Sequence, residues 1–448
     1  MNTLNRAQYN VAVVGAGPAG LFAARELSEN GVHVVLFNRD IKPGGLAEYG
    51  IYPTKQRMKD GLRNQFRQIL ARPAVDYFGN VVIGETADLS LDDLRSLGFH
   101  AILITVGAQS TKWLGIPGEE FKGVYHAKDI VYHYNLLPPF SESTYQIGKQ
   151  VAVVGVGNVM MDITHWLAED RQVDEVIAVA RRGPAEVKFD KKELEIVVNY
   201  MDQAKLDEEI KRVTPLMVSI GQDPEQFRKL IADVAAKGQP RLSQTRFLLR
   251  FLASPMRILG DSNGRVVGLE LEENTMEVNE DGVTRARGTG VRHVLNVDTV
   301  IFAIGDLVDG GLGLAVHNGE YQKTTYPRFP VDGASYEAYD PHTERLIPDI
   351  FLAGWARKPS NGLVGVARKD GVNAARAILQ HLQGLRPADE SICQRLTMRL
   401  NRLSKPVVPK PALLRLEQLE RERALELNMA SFKFATNQQM LGALELVK

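Results

Sequence analysis

A short apolar run, Val11 to Val14, breaks at Gly15-Ala16-Gly17-Pro18-Ala19-Gly20 and gives way to a helical pattern over Leu21 to Glu29. A second apolar run, Val32 to Phe37, follows. Strand, glycine turn, helix and strand make a βαβ unit with parallel strands. The plan recurs far downstream: Val151 to Val154, then Gly155-Val156-Gly157-Asn158, a helix over Val159 to Glu169 and a strand over Val176 to Ala180. Two such units predict an α/β protein with two Rossmann-like, dinucleotide-binding domains.

The spacing of the glycines carries the chemistry. The first, Gly15, lets the chain turn sharply off the strand. The second, Gly17, has no side chain, so a pyrophosphate can approach the backbone. The third, Gly20, lets the helix pack close to the strand. The anion then sits at a helix N-terminus, where unpaired N–H groups and the helix dipole favour negative charge. At the end of the next strand an Asp or Glu ordinarily accepts the ribose hydroxyls. This chain has Asn38 there. Its carbonyl oxygen can accept from a ribose without the charge, or Asn38 can simply cap the strand.

In the second unit Gly155 and Gly157 repeat the logic, but Met160 stands at the third glycine position. The following strand ends in Arg181-Arg182-Gly183-Pro184. An acidic residue there would repel a 2′-phosphate, whereas arginine binds one bidentately. The pair therefore predicts NADP(H) rather than NAD(H), against the plainer reading of two solvated arginines.

Between the units, Ala101 to Gly107 reads as a strand ending in glycine, and Trp113-Leu114-Gly115-Ile116-Pro117-Gly118 as the exit from the first domain. Residues 190–255 are charged and read as helix-rich, with Arg241, Arg246 and Arg250 on one helix. Val266 to Glu272, Val297 to Ile304 and Ile350 to Ala353 read as strands, and Val364 to Leu382 as a helix. A proline-rich stretch, Lys405 to Pro411, precedes a leucine-bearing helix over Leu413 to Leu427.

The chain has 448 residues, material for about three domains. Lys plus Arg and Asp plus Glu are 54 each, so bulk charge does not point to nucleic acid. One cysteine, Cys393, counts against an internal disulfide, a CxxC redox pair, a cysteine-ligated zinc site and a cysteine-held iron–sulfur cluster. It fits a reducing compartment. There is no apolar stretch of membrane-spanning length, and Met1 to Asn10 is polar and unlike a signal peptide. The expectation is a cytoplasmic protein that binds neither membrane nor nucleic acid. No metal site stands out among the nine histidines, and His126 and His133 lack a third ligand.

With these residues in place, the sequence resembles the adrenodoxin-reductase-like family of ferredoxin–NADP(H) reductases. The first turn matches that family's FAD site, and the second turn with Arg181-Arg182-Gly183-Pro184 its NADP site. Phe189-Asp190-Lys191-Lys192-Glu193-Leu194 and Gly354-Trp355-Ala356-Arg357-Lys358, followed by Gly362-Leu363-Val364-Gly365, are similar to further family segments. Glu420, Lys433-Phe434 and Met440-Leu441 fall like its closing pattern. The turn Gly50-Ile51-Tyr52-Pro53-Thr54-Lys55 departs from it, with Lys55 at a histidine position, and resembles the small subunit of glutamate synthase. Pro359-Ser360-Asn361 also departs from the family's Gly-Pro-Thr.

The resemblance implies FAD in residues 1–108 and 325–384, NADPH across an inserted domain over 109–324, and a C-terminal extension, 385–448, packing on the FAD domain or on a dimer partner. It implies an FAD site from Gly15, Gly17, Ala19, Gly20, Asn38, Gly45, Leu46, Gly107, Gly354 and Trp355. Gly362 would let nicotinamide and flavin approach. N–H groups of Leu363 and Val364 would stabilise charge on the reduced flavin. Gly155, Gly157, Asn158, Val159, Arg181, Arg182, Glu193 and Gly362 would hold NADP. Glu193, Lys55 and Trp355 are the candidate catalytic residues. Glu193 would hold the nicotinamide carboxamide or relay a proton, and Lys55 would take the proton-donor position.

Without a cysteine pair, electrons from NADPH must leave the flavin for an external acceptor. A small acidic ferredoxin-type iron–sulfur protein is the leading expectation. Arg241, Arg246 and Arg250, with Arg228, Lys229 and Lys237, would be its basic docking face. The alternatives are a flavoenzyme acting directly on a small molecule and an electron-input subunit of a larger complex. Monomer and homodimer both remain open.

Overall fold

The computed structural model describes residues 9–280, 282–360, 362–388 and 392–447. Asn361 and most of the polar N-terminal stretch, residues 1–8, lie outside them. The chain divides into two compact units. One comprises residues 1–111, 132–142 and 305–448, and the other 112–131 and 143–304. Residues 109–111, 132–142 and 305–324, expected in the inserted domain, fall in the first unit.

The first unit is built on a seven-stranded sheet. Asn10–Val14 lies at its centre, parallel to His33–Asn38 on one side and Ala101–Ile104 on the other. Val75–Gly79 and Arg345–Leu352 extend it in parallel. Glu337–Asp340 and Val408–Pro409 close its two edges in antiparallel fashion. The central strands are apolar throughout because both faces are covered. Val11 and Val13 pack with the Pro18–Glu29 and Val364–Leu382 helices, through Leu21, Ala24, Ala374 and Ile378. Ala12 and Val14 face the other way, onto Leu94, Leu97, Leu396 and Leu400.

The C-terminal extension packs on this unit. Val408 pairs with Gly79 and so covers an edge that would otherwise offer unpaired backbone groups. The helix that follows runs Lys410–Glu426, and its Leu413 and Leu416 enter the core beside Val75 and Tyr77. Its spacing of Leu413, Leu416, Glu420 and Ala424 is one helical stripe, and all four are buried.

The second unit has a five-stranded parallel sheet ordered Val124–His126, Thr299–Phe302, Gln150–Val154, Glu175–Val179 and Arg246–Arg250. One face rests on a three-stranded antiparallel sheet, Ala253–Gly260, Val266–Val278 and Thr284–Leu295, through Ile258, Leu269 and Leu271. Among the described residues no helix is long and apolar enough to cross a membrane.

One expected helix is corrected here. Arg246 and Arg250 sit at the two ends of a strand, with Phe247 and Leu249 buried between them. The period is two, not 3.6, which the surrounding charged helices obscured. Helices are present at Lys191–Val197, Gln203–Ser219 and Glu225–Ala235, and Arg241 lies in the loop before the strand.

Candidate functional site

The first glycine turn divides its work as the spacing predicts. Gly15 has φ +104°, and a Cβ there would lie 2.6 Å from the Thr105 carbonyl oxygen. A Cβ on Gly20 would lie 2.1 Å from the Gly15 oxygen. Both positions exclude any side chain. Gly17 differs: it precedes the Pro18–Glu29 helix, and a Cβ on it would meet nothing within 4 Å. Open space in front of a helix N-terminus is what an incoming pyrophosphate requires.

Other expected residues assemble around this opening. Gly45, at φ +49°, passes so close that its Cβ would lie 3.1 Å from Gly17 Cα, and the Gly44 N–H donates to Ala16 O at 2.7 Å. Leu46 opens the short helix Leu46–Tyr49. Ala19 packs against Gly354, where a Cβ would come within 2.8 Å of the Ala19 Cβ. Gly354 has φ +64° and starts a 3-10 turn that carries the half-buried Trp355. Gly107, at φ +75°, follows the Ala101–Ile104 strand two residues after Thr105, whose hydroxyl donates to Gly15 O at 2.6 Å.

At the start of the Val364–Leu382 helix, Leu363 is 63% exposed, and a Cβ on Gly365 would meet nothing within 4 Å. This is a second open helix N-terminus. Gly362 is needed by its own turn: φ is +74° and a Cβ would strike Val366 Cγ2 at 2.6 Å.

Two residues that sequence reasoning missed hold these pieces together. Asp370 accepts from the Gly354 N–H at 2.7 Å and pairs with Arg357, whose guanidinium stacks over Tyr336 at 4.6 Å. Gly371 allows the two helices to cross, because a Cβ there would lie 2.1 Å from Ala19 O. A glycine in a helix interior costs roughly 1 kcal/mol relative to alanine, so Gly371 was a readable sign of close packing.

Of the two readings of Asn38, the structure shows contacts of the capping kind. Its side chain is buried, Oδ1 accepts from the Ala16 N–H at 3.0 Å, and Nδ2 donates to Asp40 O at 2.9 Å and to Lys42 O at 3.0 Å. The amide braces the glycine turn against the loop after the strand, a task an Asp could not perform because it lacks the two donors.

Behind Leu46 lies a buried charge cluster. Glu48 accepts two bonds from Arg63, at 2.7 and 2.8 Å, and one from Lys433 at 2.6 Å. Burial alone would raise the Glu48 carboxyl, but Lys433, Arg63 and Lys42 outweigh it and hold it far below the usual carboxylate range. Lys42 pairs with Glu420 from the C-terminal helix. Lys59 donates to Asn135 Oδ1 at 2.5 Å, and burial, then Lys433, push its ammonium down to about 7. Burial likewise lowers Lys433 to about 8. Lys55, the expected proton donor, precedes the Gln56–Leu70 helix and is half-buried.

In the second unit Gly155 has φ +124°, and a Cβ would lie 2.3 Å from Ala303 O. Gly157, before the Asn158–Glu169 helix, again faces open space. Met160 is fully buried, so the third glycine position is filled by core. Val159 is 41% exposed at the helix entrance. Asn158 holds Asp190 by two bonds, Nδ2 to Oδ2 at 2.8 Å and the Asp190 N–H to Oδ1 at 2.7 Å. That fastens the Phe189–Leu194 segment, with the half-buried Glu193 in the first turn of Lys191–Val197, onto the glycine turn.

The arginine pair separates into two parts. Arg182 bonds Glu186 at 2.7 Å, and Glu186 also accepts from Thr284 at 2.5 Å. Arg181 is exposed, with no ion-pair partner among the described residues. Arg181 is therefore the guanidinium left open to solvent, and Arg182 is held by Glu186 beside it.

Half of the residues expected to form the docking face are tied up in ion pairs within the chain. Arg246 is bound to Asp202 and Glu175, at 2.8 and 3.1 Å, and Arg250 to Glu209 and Glu273. Arg228 is paired with Asp207 and Glu225, and Arg241 stacks on Tyr200. The charges of Arg228, Arg246 and Arg250 are thereby balanced locally.

A model of the pyridine nucleotide-disulphide oxidoreductase family matches residues 9–322. NADPH-ferredoxin reductase FprA of Mycobacterium leprae is 28% identical over 419 residues, 84% of this chain and 84% of that protein. The mitochondrial NADPH:adrenodoxin oxidoreductase of Salvelinus fontinalis is 27% identical over 408 residues, 83% of this chain and 78% of that one. Among solved structures, Mycobacterium tuberculosis FprA in complex with NADPH has a TM-score of 0.81 at 24% identity, covering 98% of this chain and 99% of its own.

Proposed function

This chain belongs to the pyridine nucleotide-disulphide oxidoreductase family, and from that footing we propose that it is an FAD-containing, NADPH-dependent reductase that passes electrons to a ferredoxin-type iron–sulfur protein. The observation that carries the reading is the pair of glycine turns. Each opens a helix, each leaves open space where its second glycine stands, and one is followed by the unpaired Arg181. The chain's relatives support it, being NADPH-ferredoxin and NADPH:adrenodoxin reductases by name. The single cysteine removes the disulfide route that the family name suggests, so the acceptor is external. The chain works in the cytoplasm, the reducing compartment its single cysteine fits.

FAD, when bound, supplies a centre that takes two electrons as a hydride and releases them one at a time. The chain's own residues do the rest. First-turn N–H groups beside Gly17 bind the FAD pyrophosphate, and those beside Gly157 bind that of NADPH. Arg181 selects the 2′-phosphate. Gly45, Leu46, Gly107 and Trp355 would line the flavin, and the open helix end at Leu363 and Val364 would favour negative charge on it. Asp370 fixes the Gly354 turn and thereby Trp355. Glu193 would hold the nicotinamide carboxamide or relay a proton, and Lys55 would stand at the proton-donor position.

The test is steady-state reduction of a small ferredoxin by the purified protein with NADPH, read through cytochrome c. Ferredoxin-dependent turnover with saturation in both substrates is the expected result. Rapid reduction of a small organic acceptor with none through any ferredoxin would replace this reading with a small-molecule oxidoreductase. Turnover only after addition of a second subunit would replace it with an electron-input subunit.

A further inference from the structure

We propose that His33, Asp76 and Cys393 form a divalent-cation site suited to zinc. One ligand atom from each residue, an imidazole nitrogen, a carboxylate oxygen and the thiol sulfur, lies within 4.8 Å of the others. Nitrogen, oxygen and sulfur donors together are a set that tetrahedral zinc accepts, with a fourth position left to water. Donors bonded to one zinc ion stand on the order of 3–4 Å apart, so closure on the ion needs only a small movement of the thiol.

The three residues come from separate parts of the first unit. His33 opens the His33–Asn38 strand, and Asp76 stands on the neighbouring strand, opposite Val35. Cys393 begins the Cys393–Leu400 helix, which is pinned to the sheet by its buried Leu396 and Leu400. The sequence counted against a cysteine-ligated zinc site because the chain has one cysteine, and positions 33, 76 and 393 are too far apart in the chain to show that a histidine and a carboxylate join it.

The imidazole is already oriented. His33 Nδ1 is 2.9 Å from the side-chain Oδ1 of Asn10. Its Nε2 is 2.9 Å from Asp76 Oδ2, so the two side chains are already side by side. An outer carbonyl that holds the far ring nitrogen is the usual support of a metal-binding histidine. Cys393 is exposed and the Asp76 side chain is 38% exposed, so an ion can enter from solvent. On binding, the Cys393 S–H bond breaks, its proton goes to solvent, and a sulfur–metal bond forms.

Because the chain has one cysteine, alkylation of a thiol reports on this site alone. The experiment compares the maleimide reaction rate of Cys393 in the full-length, cofactor-loaded, chelator-washed protein with and without added zinc. Saturating zinc is expected to slow the reaction about tenfold or more by mass action, and magnesium to leave it unchanged. Asp76→Asn, which keeps the shape of the pair, and His33→Gln are each expected to lose the protection. Zinc that leaves the wild-type rate unchanged would overturn the proposal. So would protection of equal size in both variants, since the thiol would then bind zinc without its neighbours.

Discussion

Asn38→Asp separates a brace from a ribose contact. The substitution keeps the side-chain volume and the acceptor facing the Ala16 N–H, but removes both donors. The carbonyl oxygens of Asp40 and Lys42, now bonded at 2.9 and 3.0 Å, would face a buried carboxylate instead. Leaving a buried group unpaired costs about 1–3 kcal/mol, so the two together cost about 2–6 kcal/mol. For a unit of this size that is a fall in melting temperature of about 5–20 °C. Asn38→Ala, which also orphans the Ala16 N–H, should fall at least as far. Scanning calorimetry with parallel measurement of FAD affinity is the assay. A variant that melts within about 2 °C of the parent and holds FAD more tightly would refute the brace, because it would mean that position 38 meets the ribose.

Further predictions follow from the same geometry. Arg181→Ala should raise the KM for NADPH about 10- to 100-fold and barely change that for NADH, since a charge-assisted bidentate contact is lost; equal losses with both nucleotides would dismiss the phosphate role. Gly17→Ala should melt within about 1 kcal/mol of the parent, because its φ of −78° is ordinary and its Cβ would meet nothing, yet retain less FAD on purification. Gly20→Ala should instead fail to fold, since its Cβ would overlap Gly15 O. Lys59 has a folded-state pKa pushed down to about 7, so the fold carries the burden of its charge fully below pH 7 and progressively less as pH rises toward the unfolded value near 10.5. Lys59→Met should therefore gain stability over the parent more at pH 6 than at pH 9 in urea unfolding; an equal gain at both would show that Lys59 titrates normally.

The backbone plan was legible because its signals are local. Apolar runs next to glycine turns located both βαβ units, and the helix expected at Val364 to Leu382 occupies those residues. The roles of Gly15, Gly17 and Gly20 also follow from spacing, since each obeys a steric constraint that acts within the turn itself. What escaped the sequence depends on distant partners. Whether Asn38 meets a ribose or a loop is decided by Asp40 and Lys42 folding back on it. Arg246 and Arg250 look cationic in sequence and are neutral in effect only because Asp202, Glu209 and Glu273 converge on them. The attachment of the C-terminal extension rests on Val408 meeting Gly79 and Glu420 meeting Lys42, pairs that no local pattern announces. Gly371 is the exception, a local irregularity whose cause is a helix crossing.

The central claim, that this chain takes hydride from NADPH onto bound FAD, is tested most directly by an anaerobic titration of the purified protein with NADPH and then NADH, followed in the visible spectrum. The account predicts a yellow protein bleached rapidly by NADPH and slowly by NADH. A colourless protein, or a bound flavin that NADPH leaves oxidised, would contradict it.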